Sequence, residues 1–181
     1  MSWFRGFEAI LTREAPLACR TTFGIGGAAE ALLEPRDARE FAEAWGAARA
    51  SGRPALLLGG GSNLLVADAG VRAVVVTTTR LSGAPERRGS CIVAPAGLPL
   101  RALARYALDC GLSGLEPLVG IPGTVGGAVR MNAGGRHGTI GRCVERLWCV
   151  AEDGGLLERP GAEVRWGIAR QACASRWRRS S

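Results

Sequence analysis

Residues 59–63 read Gly-Gly-Gly-Ser-Asn, with Leu56-Leu57-Leu58 before them and Leu64-Leu65-Val66 after. The apolar flanks predict a strand, a glycine turn and a second extended segment. Three consecutive glycines remove every Cβ, so backbone N–H groups can converge on an anion. Ser62 and Asn63 add side-chain donors at the end of the turn. The chemistry this supports is phosphate binding, and with it a bound nucleotide cofactor. The competing reading is a tight turn in a β-rich domain. Neither of the two commonest phosphate loops is present. The chain contains no lysine, so no Gly-x-x-x-x-Gly-Lys-Ser/Thr occurs, and no Gly-x-Gly-x-x-Gly opens a helix.

A second block, residues 111–134, reads GLSGLEPLVGIPGTVGGAVRMNAG. Glycines alternate with Leu115, Leu118, Val119, Ile121, Val125 and Val129, and Glu116 and Arg130 are its only charges. It is too apolar for a solvated linker. Its glycines, with Pro117 and Pro122, exclude a long regular helix. A buried irregular segment carries backbone polar groups that need partners. A flat polar cofactor lying along the backbone would supply them; turns joining short strands are the alternative.

The elements that must position these blocks follow from periodicity. Residues 36–51 predict a helix, with Pro35 before it, Asp37 as its cap and Gly52 closing it. Ala38, Phe41, Ala42, Trp45 and Ala48 form its apolar face. Residues 99–110 predict a second helix, with Leu100, Leu103, Ala104, Ala107 and Leu108 facing the core. Strands are expected at residues 31–33, 55–58, 72–78, 91–94 and 144–151, the β-branched run at 74–79 being the clearest. Asp153-Gly154 reads as a two-residue turn between strands ending at 152 and starting at 155. Residues 31–66 thus form a β–α–β unit, and the rest is mixed and richer in β structure. The expectation is α+β: two lobes, residues 16–79 and 80–164, with the cofactor between them.

Four stretches together resemble UDP-N-acetylenolpyruvoylglucosamine reductase. They are Arg20-Thr21-Thr22-Phe23-Gly24-Ile25-Gly26-Gly27, residues 58–68 around the glycine turn, Gly111-Leu112-Ser113-Gly114-Leu115-Glu116, and residues 120–134. The resemblance covers residues 16–164, and the last stretch is the most specific. It implies a FAD-binding domain of the vanillyl-alcohol-oxidase / p-cresol methylhydroxylase type. It also implies that FAD is held by Gly59, Gly60, Gly61, Ser62, Asn63 and Leu64, and by Gly120, Ile121, Pro122, Gly123, Thr124, Gly126, Gly127, Asn132, Ala133 and Gly134. The family uses NADPH to reduce UDP-N-acetylglucosamine enolpyruvate to UDP-N-acetylmuramate, a peptidoglycan precursor. Its Tyr-Arg-x-Ser motif is expected just after Val164 and does not occur, so no catalytic residue is carried over. The resemblance therefore implies a C-terminally truncated chain without the substrate-binding domain. Two alternatives remain: a flavin-binding module with a partner-dependent role, and a basic nucleic-acid-binding protein.

Charge argues against the last. The formal net charge is +7, but residues 1–164 hold 18 arginines against 16 acids, and residues 165–181 hold five arginines and no acid. Basicity is a property of the tail, expected to be disordered or aberrant, and not of the body. No run of eighteen apolar residues and no secretory signal occurs, which predicts a cytoplasmic protein. The six cysteines form no C-x-x-C pair and His137 is the only histidine. No metal site is expected, the cysteines are expected to be buried free thiols, and His137 is expected to be a loop residue.

Overall fold

The computed structural model describes residues 4–167 and the backbone of residues 170–171. The first lobe is a four-stranded sheet in the order β1-β2-β4-β3. β1 (Leu11–Pro16) runs antiparallel to β2 (Ala28–Leu33), while β4 (Val71–Thr77) runs parallel to both β2 and β3 (Ala55–Leu58). α1 (Ala38–Ala50) connects β2 to β3. Asp37 caps it as expected, its carboxylate accepting from the Glu40 N–H at 2.8 Å. Packed structure starts upstream of residue 16, since Ile10 is buried in the same core.

The sheet is covered on both faces. Leu33, Val74 and Val76 pack against Phe41, Ala44 and Ala48 of α1. Leu32 and Val75 pack with Leu17, Leu58 and Val66 on the other face. This alternation along β4 is why its sequence reads as an unbroken apolar run. On α1, Ala44 is buried and Ala38 is exposed, the reverse of the expected face at that position. Ala38 sits in the first turn, beyond the sheet.

The second lobe contains the hairpin β5 (Glu86–Arg88)–β6 (Cys91–Val93), then α2 (Leu100–Asp109) and α3 (Val125–Met131). β7 (Gly134–Gly135) and β8 (Gly138–Thr139) follow, then the hairpin β9 (Arg146–Val150)–β10 (Leu156–Pro160). Its core gathers Leu98, Leu100, Leu103, Leu118, Val125, Ala128 and Ile140. Leu108 is exposed instead of facing that core, because it lies off the stripe drawn by Leu100, Leu103 and Ala107. α3 is short enough to coexist with the prolines and glycines of its block.

The hairpin turn corrects a sequence expectation. Ala151 and Gly155 close the loop through an N–H···O bond of 2.8 Å, leaving residues 152–154 as a three-residue turn. Gly154 has φ +89°, the left-handed position that completes such a loop after a type I turn. The turn rests on α1: a Cβ on Gly46 would lie 3.0 Å from the Asp153 carbonyl oxygen. β11 (Trp166–Gly167) pairs with β12 (Arg170–Gln171). The remainder of the basic tail lies outside the described residues, as do Cys173 and the first three residues.

Trp166 belongs to the packed body. Its indole lies against Gly141, and its Nε1–H donates to the Gly161 carbonyl at 3.0 Å. Trp166→Ala is expected to lower stability by about 2 kcal/mol, roughly half the cost of emptying a full core site. Thermal or urea unfolding of the two proteins checks this; an unchanged midpoint would show that the ring is dispensable.

Candidate cofactor site

The glycine turn leaves β3 at the carboxyl edge of the three parallel strands, where open α/β sheets bind ligands. The strand order places β4 between the consecutive elements β2 and β3. Glu34 and Thr77–Thr79 end their strands on the same edge. Thr78 N–H donates to the Leu58 carbonyl at 2.9 Å, extending the ladder to the start of the turn. The hydroxyl of Thr78 is buried and has no hydrogen-bond partner.

The two glycine blocks meet. A Cβ on Gly59 would lie 3.0 Å from Thr124 Oγ1, and one on Gly60 would lie 3.3 Å from Gly123 Cα. Gly123 has φ +120°, and its missing Cβ would sit 2.8 Å from Ser62 Oγ. Ser62 Oγ donates to the Pro122 carbonyl at 3.2 Å, and Asn63 Nδ2 lies 3.8 Å from Met131 Sδ at the end of α3. The side chains of Ser62 and Asn63 therefore join the lobes; the sequence reading had made them anion donors. The backbone N–H groups of residues 59–63 donate to none of the described residues. That is the accounting a cradle for an external anion requires.

The start of α3 is used differently. Thr124 caps it, accepting from Gly127 N–H at 3.3 Å. Val125 N–H donates to Leu98 O and Gly126 N–H to Ala96 O, both at 2.8 Å. A Cβ on Gly126 would press on Ala96 at 2.9 Å. These amides are spent on the fold. Ile121 packs against the second-lobe core, and Gly120 (φ +85°) turns in open space.

The end of the second block is also structural. Asn132 adopts the left-handed conformation that terminates α3, and its Oδ1 accepts from Gly141 N–H at 3.1 Å. Ala133 N–H closes back on Ala128 O, while Gly134 abuts Gly138 across the short β7–β8 ladder. His137 lies at the tip of that hairpin, exposed, as expected.

The expectation of buried thiols fails. Of the described cysteines, Cys19 and Cys143 are exposed and Cys91, Cys110 and Cys149 are half-buried, and none of them is in a disulfide. Cys91 Sγ donates to Glu145 at 2.6 Å, and that carboxylate pushes its pKa up. Desolvation pushes the Cys143 thiol up as well, and it donates to Gly114 O. Neither is an activated thiolate. Among the described residues, no group of three His, Cys, Asp or Glu could hold a metal, and no helix is long and apolar enough to cross a membrane.

A domain model described as "FAD binding domain" matches residues 29–159. The chain belongs to the FAD-binding domain family. It is 41% identical to the UDP-N-acetylenolpyruvoylglucosamine reductase of Desulfosudis oleivorans over 164 residues, covering 88% of this chain and 52% of that relative. The crystal structure of UDP-N-acetylenolpyruvylglucosamine reductase from Thermus caldophilus superposes with a TM-score of 0.71 at 34% identity, over 89% of this chain and 55% of that one. The resemblance read from the glycine blocks is thus borne out. The chain spans about half the length of the curated relatives it matches. Physcomitrella patens BBE-like 1 shares the fold alone, at 18% identity and a TM-score of 0.64 over 89% of this chain and 37% of that one. The fold class is the one expected, the vanillyl-alcohol-oxidase type.

Proposed function

We propose that the chain holds FAD across its two lobes, with the pyrophosphate on the backbone of Gly59, Gly60, Gly61, Ser62, Asn63 and Leu64. The observation that carries this is the run of backbone N–H groups without acceptors at the carboxyl edge of the parallel strands. The second block, from Gly120 to Thr124 with Gly126 and Gly127, forms the facing wall. Asn132, Ala133 and Gly134 support that wall by ending α3. When bound, FAD supplies the redox chemistry; the chain supplies binding and orientation.

The reaction is that of the relatives: the flavin part of an NADPH-dependent reductase acting on UDP-N-acetylglucosamine enolpyruvate, in the cytoplasm, on the route to peptidoglycan. The support is the identity of 41% over 88% of the chain. A body whose net charge outside the tail is close to zero speaks against nucleic acid as a partner.

Two separate glycine blocks provide for a pyrophosphate and for an isoalloxazine. The cofactor released by heat from the purified protein is therefore expected to be FAD. Chromatography of the released flavin checks this, and recovery of FMN alone would overturn the pyrophosphate assignment.

A further inference from the structure

We infer that the ion pair between Arg20 and Glu34 is a latch that fixes the conformation of the phosphate-binding turn, making both positioning residues for the cofactor. The inference rests on the assignment of the pyrophosphate to residues 59–64.

Arg20 makes a two-pronged contact with Glu34, Nη1 to Oε1 at 2.5 Å and Nη2 to Oε2 at 3.1 Å. Glu34 follows β2, at the carboxyl edge of the sheet, and its side chain is only 12% exposed. Arg80 approaches the same carboxylate at 3.8 Å. The fork geometry fixes the guanidinium in direction as well as in distance. Through Arg20 the sheet therefore holds the segment that follows β1.

That segment touches the turn at its tightest point. Gly61 has φ +64°, and a Cβ there would collide with the carbonyl oxygen of Arg20 itself. Thr22 N–H donates to Gly61 O at 3.2 Å. Farther along, Gly27 N–H donates to Ala67 O at 2.9 Å, and Gly26 leaves no room for a Cβ against Val66. Residues 20–27 thus embrace both ends of residues 61–67. Their only ionic anchor to the sheet among the described residues is Arg20 on Glu34.

Without the latch, Arg20 and Thr22 keep their backbone bonds to Leu17 and Gly61 but lose the ionic anchor that ties them to the sheet. The turn keeps its glycines but loses the wall that selects one conformation. Anion binding by successive backbone N–H groups requires those groups to be held convergent before the ligand arrives.

The test uses the full chain, freed of flavin, and two probes, FAD and riboflavin. Riboflavin carries the isoalloxazine and lacks the pyrophosphate. Glu34→Gln and Arg20→Gln are each expected to weaken FAD binding by about tenfold or more, the scale of losing one or two charge-assisted hydrogen bonds. Riboflavin affinity and the melting temperature of the flavin-free protein are expected to stay close to wild type. Arg20→Lys should recover part of the loss. Equal weakening of both probes would make the pair a general structural contact and overturn the inference. Unchanged FAD affinity in both variants would overturn it too. A wild-type chain that binds FAD no better than riboflavin would instead remove the pyrophosphate assignment, and the latch with it. The wild-type arm alone therefore separates the two failures.

Discussion

Gly61→Ala is expected to abolish FAD retention while leaving the protein folded. Two independent costs fall on one methyl group. An alanine at φ +64° adopts a conformation that costs an L-residue about 1 kcal/mol. Its Cβ would also collide with the Arg20 carbonyl oxygen, so backbone must move on one side or the other. Arg20 is held by Glu34, so the turn is the part that gives. Displacing it turns the free amides of residues 59–63 away from a common point. A loss of about 100-fold in affinity, roughly 3 kcal/mol, is expected. Gly60→Ala should be milder, because its Cβ would meet Gly123 Cα at 3.3 Å and the neighbour can yield by a few tenths of an ångström. Gly135→Ala is the control, with nothing within 4 Å and no left-handed backbone. Flavin stoichiometry after purification, with FAD titration of the flavin-free proteins, orders the three. Stoichiometric flavin in the Gly61 variant would sink the pyrophosphate assignment.

The parts of this site that were legible in the sequence are those written in residue type. Glycine triplets between apolar runs announce a turn whose backbone is bare, and the helix at residues 38–50 shows itself by period and cap. β4 shows itself by its β-branched run, buried on both faces, and α2 by its apolar stripe. What could not be read is written in long-range geometry. Ser62 and Asn63 look like anion donors until Pro122 and Met131 are seen opposite them. The second block reads as backbone awaiting a cofactor until the amides that open α3 are found bonded to Ala96, Leu98 and the Thr124 hydroxyl. Arg20 lies in a recognisable stretch, but its role depends on Glu34, fourteen residues on, across a strand pairing that no local pattern records. β1 carries Thr12, Arg13 and Glu14 and lies at the sheet edge, so its composition gives little sign of a strand. The cysteines escape a reading by type for a related reason: type alone favours burial, whereas their places depend on polar partners such as the Glu145 carboxylate beside Cys91.

These bonds also describe how the lobes are coupled. The turn after β3 belongs to the first lobe and the Pro122–Thr124 segment to the second. They touch through glycine Cα atoms and through one serine hydroxyl. The hairpin β9–β10 returns from the second lobe to α1, with Val150 against the first core and Arg49 paired with Glu152. The wall facing the free amides is thus braced at a point away from the turn. A seam braced at two places is already assembled before a cofactor arrives, which lowers the ordering cost of binding.

Assayed by itself, the chain is expected to show no reduction of the enolpyruvyl sugar, although slow oxidation of NADPH by bound flavin should persist. Reducing the enol-ether double bond develops negative charge on the substrate, and that charge must be stabilised where it appears. Removing one such donor from an acyl-transfer site costs about 10²–10³ in rate. A positioned acid that completes the reaction is worth about 10²–10⁴ more. The motif that the resemblance associates with these roles, Tyr-Arg-x-Ser, does not occur in the sequence: the only tyrosine is Tyr106, and Ala107 follows it. Its hydroxyl accepts from Arg87 N–H at 3.2 Å, a contact on the surface of α2. The matched stretch amounts to 52% of the Desulfosudis oleivorans relative. Rate losses of about 10⁴ or more are expected from these two causes. NADPH consumption measured with and without the enolpyruvyl sugar, with UDP-N-acetylmuramate followed by mass, decides the matter. Substrate-dependent product at an ordinary turnover of about 1–10³ s⁻¹ would show that these 181 residues carry a complete active centre.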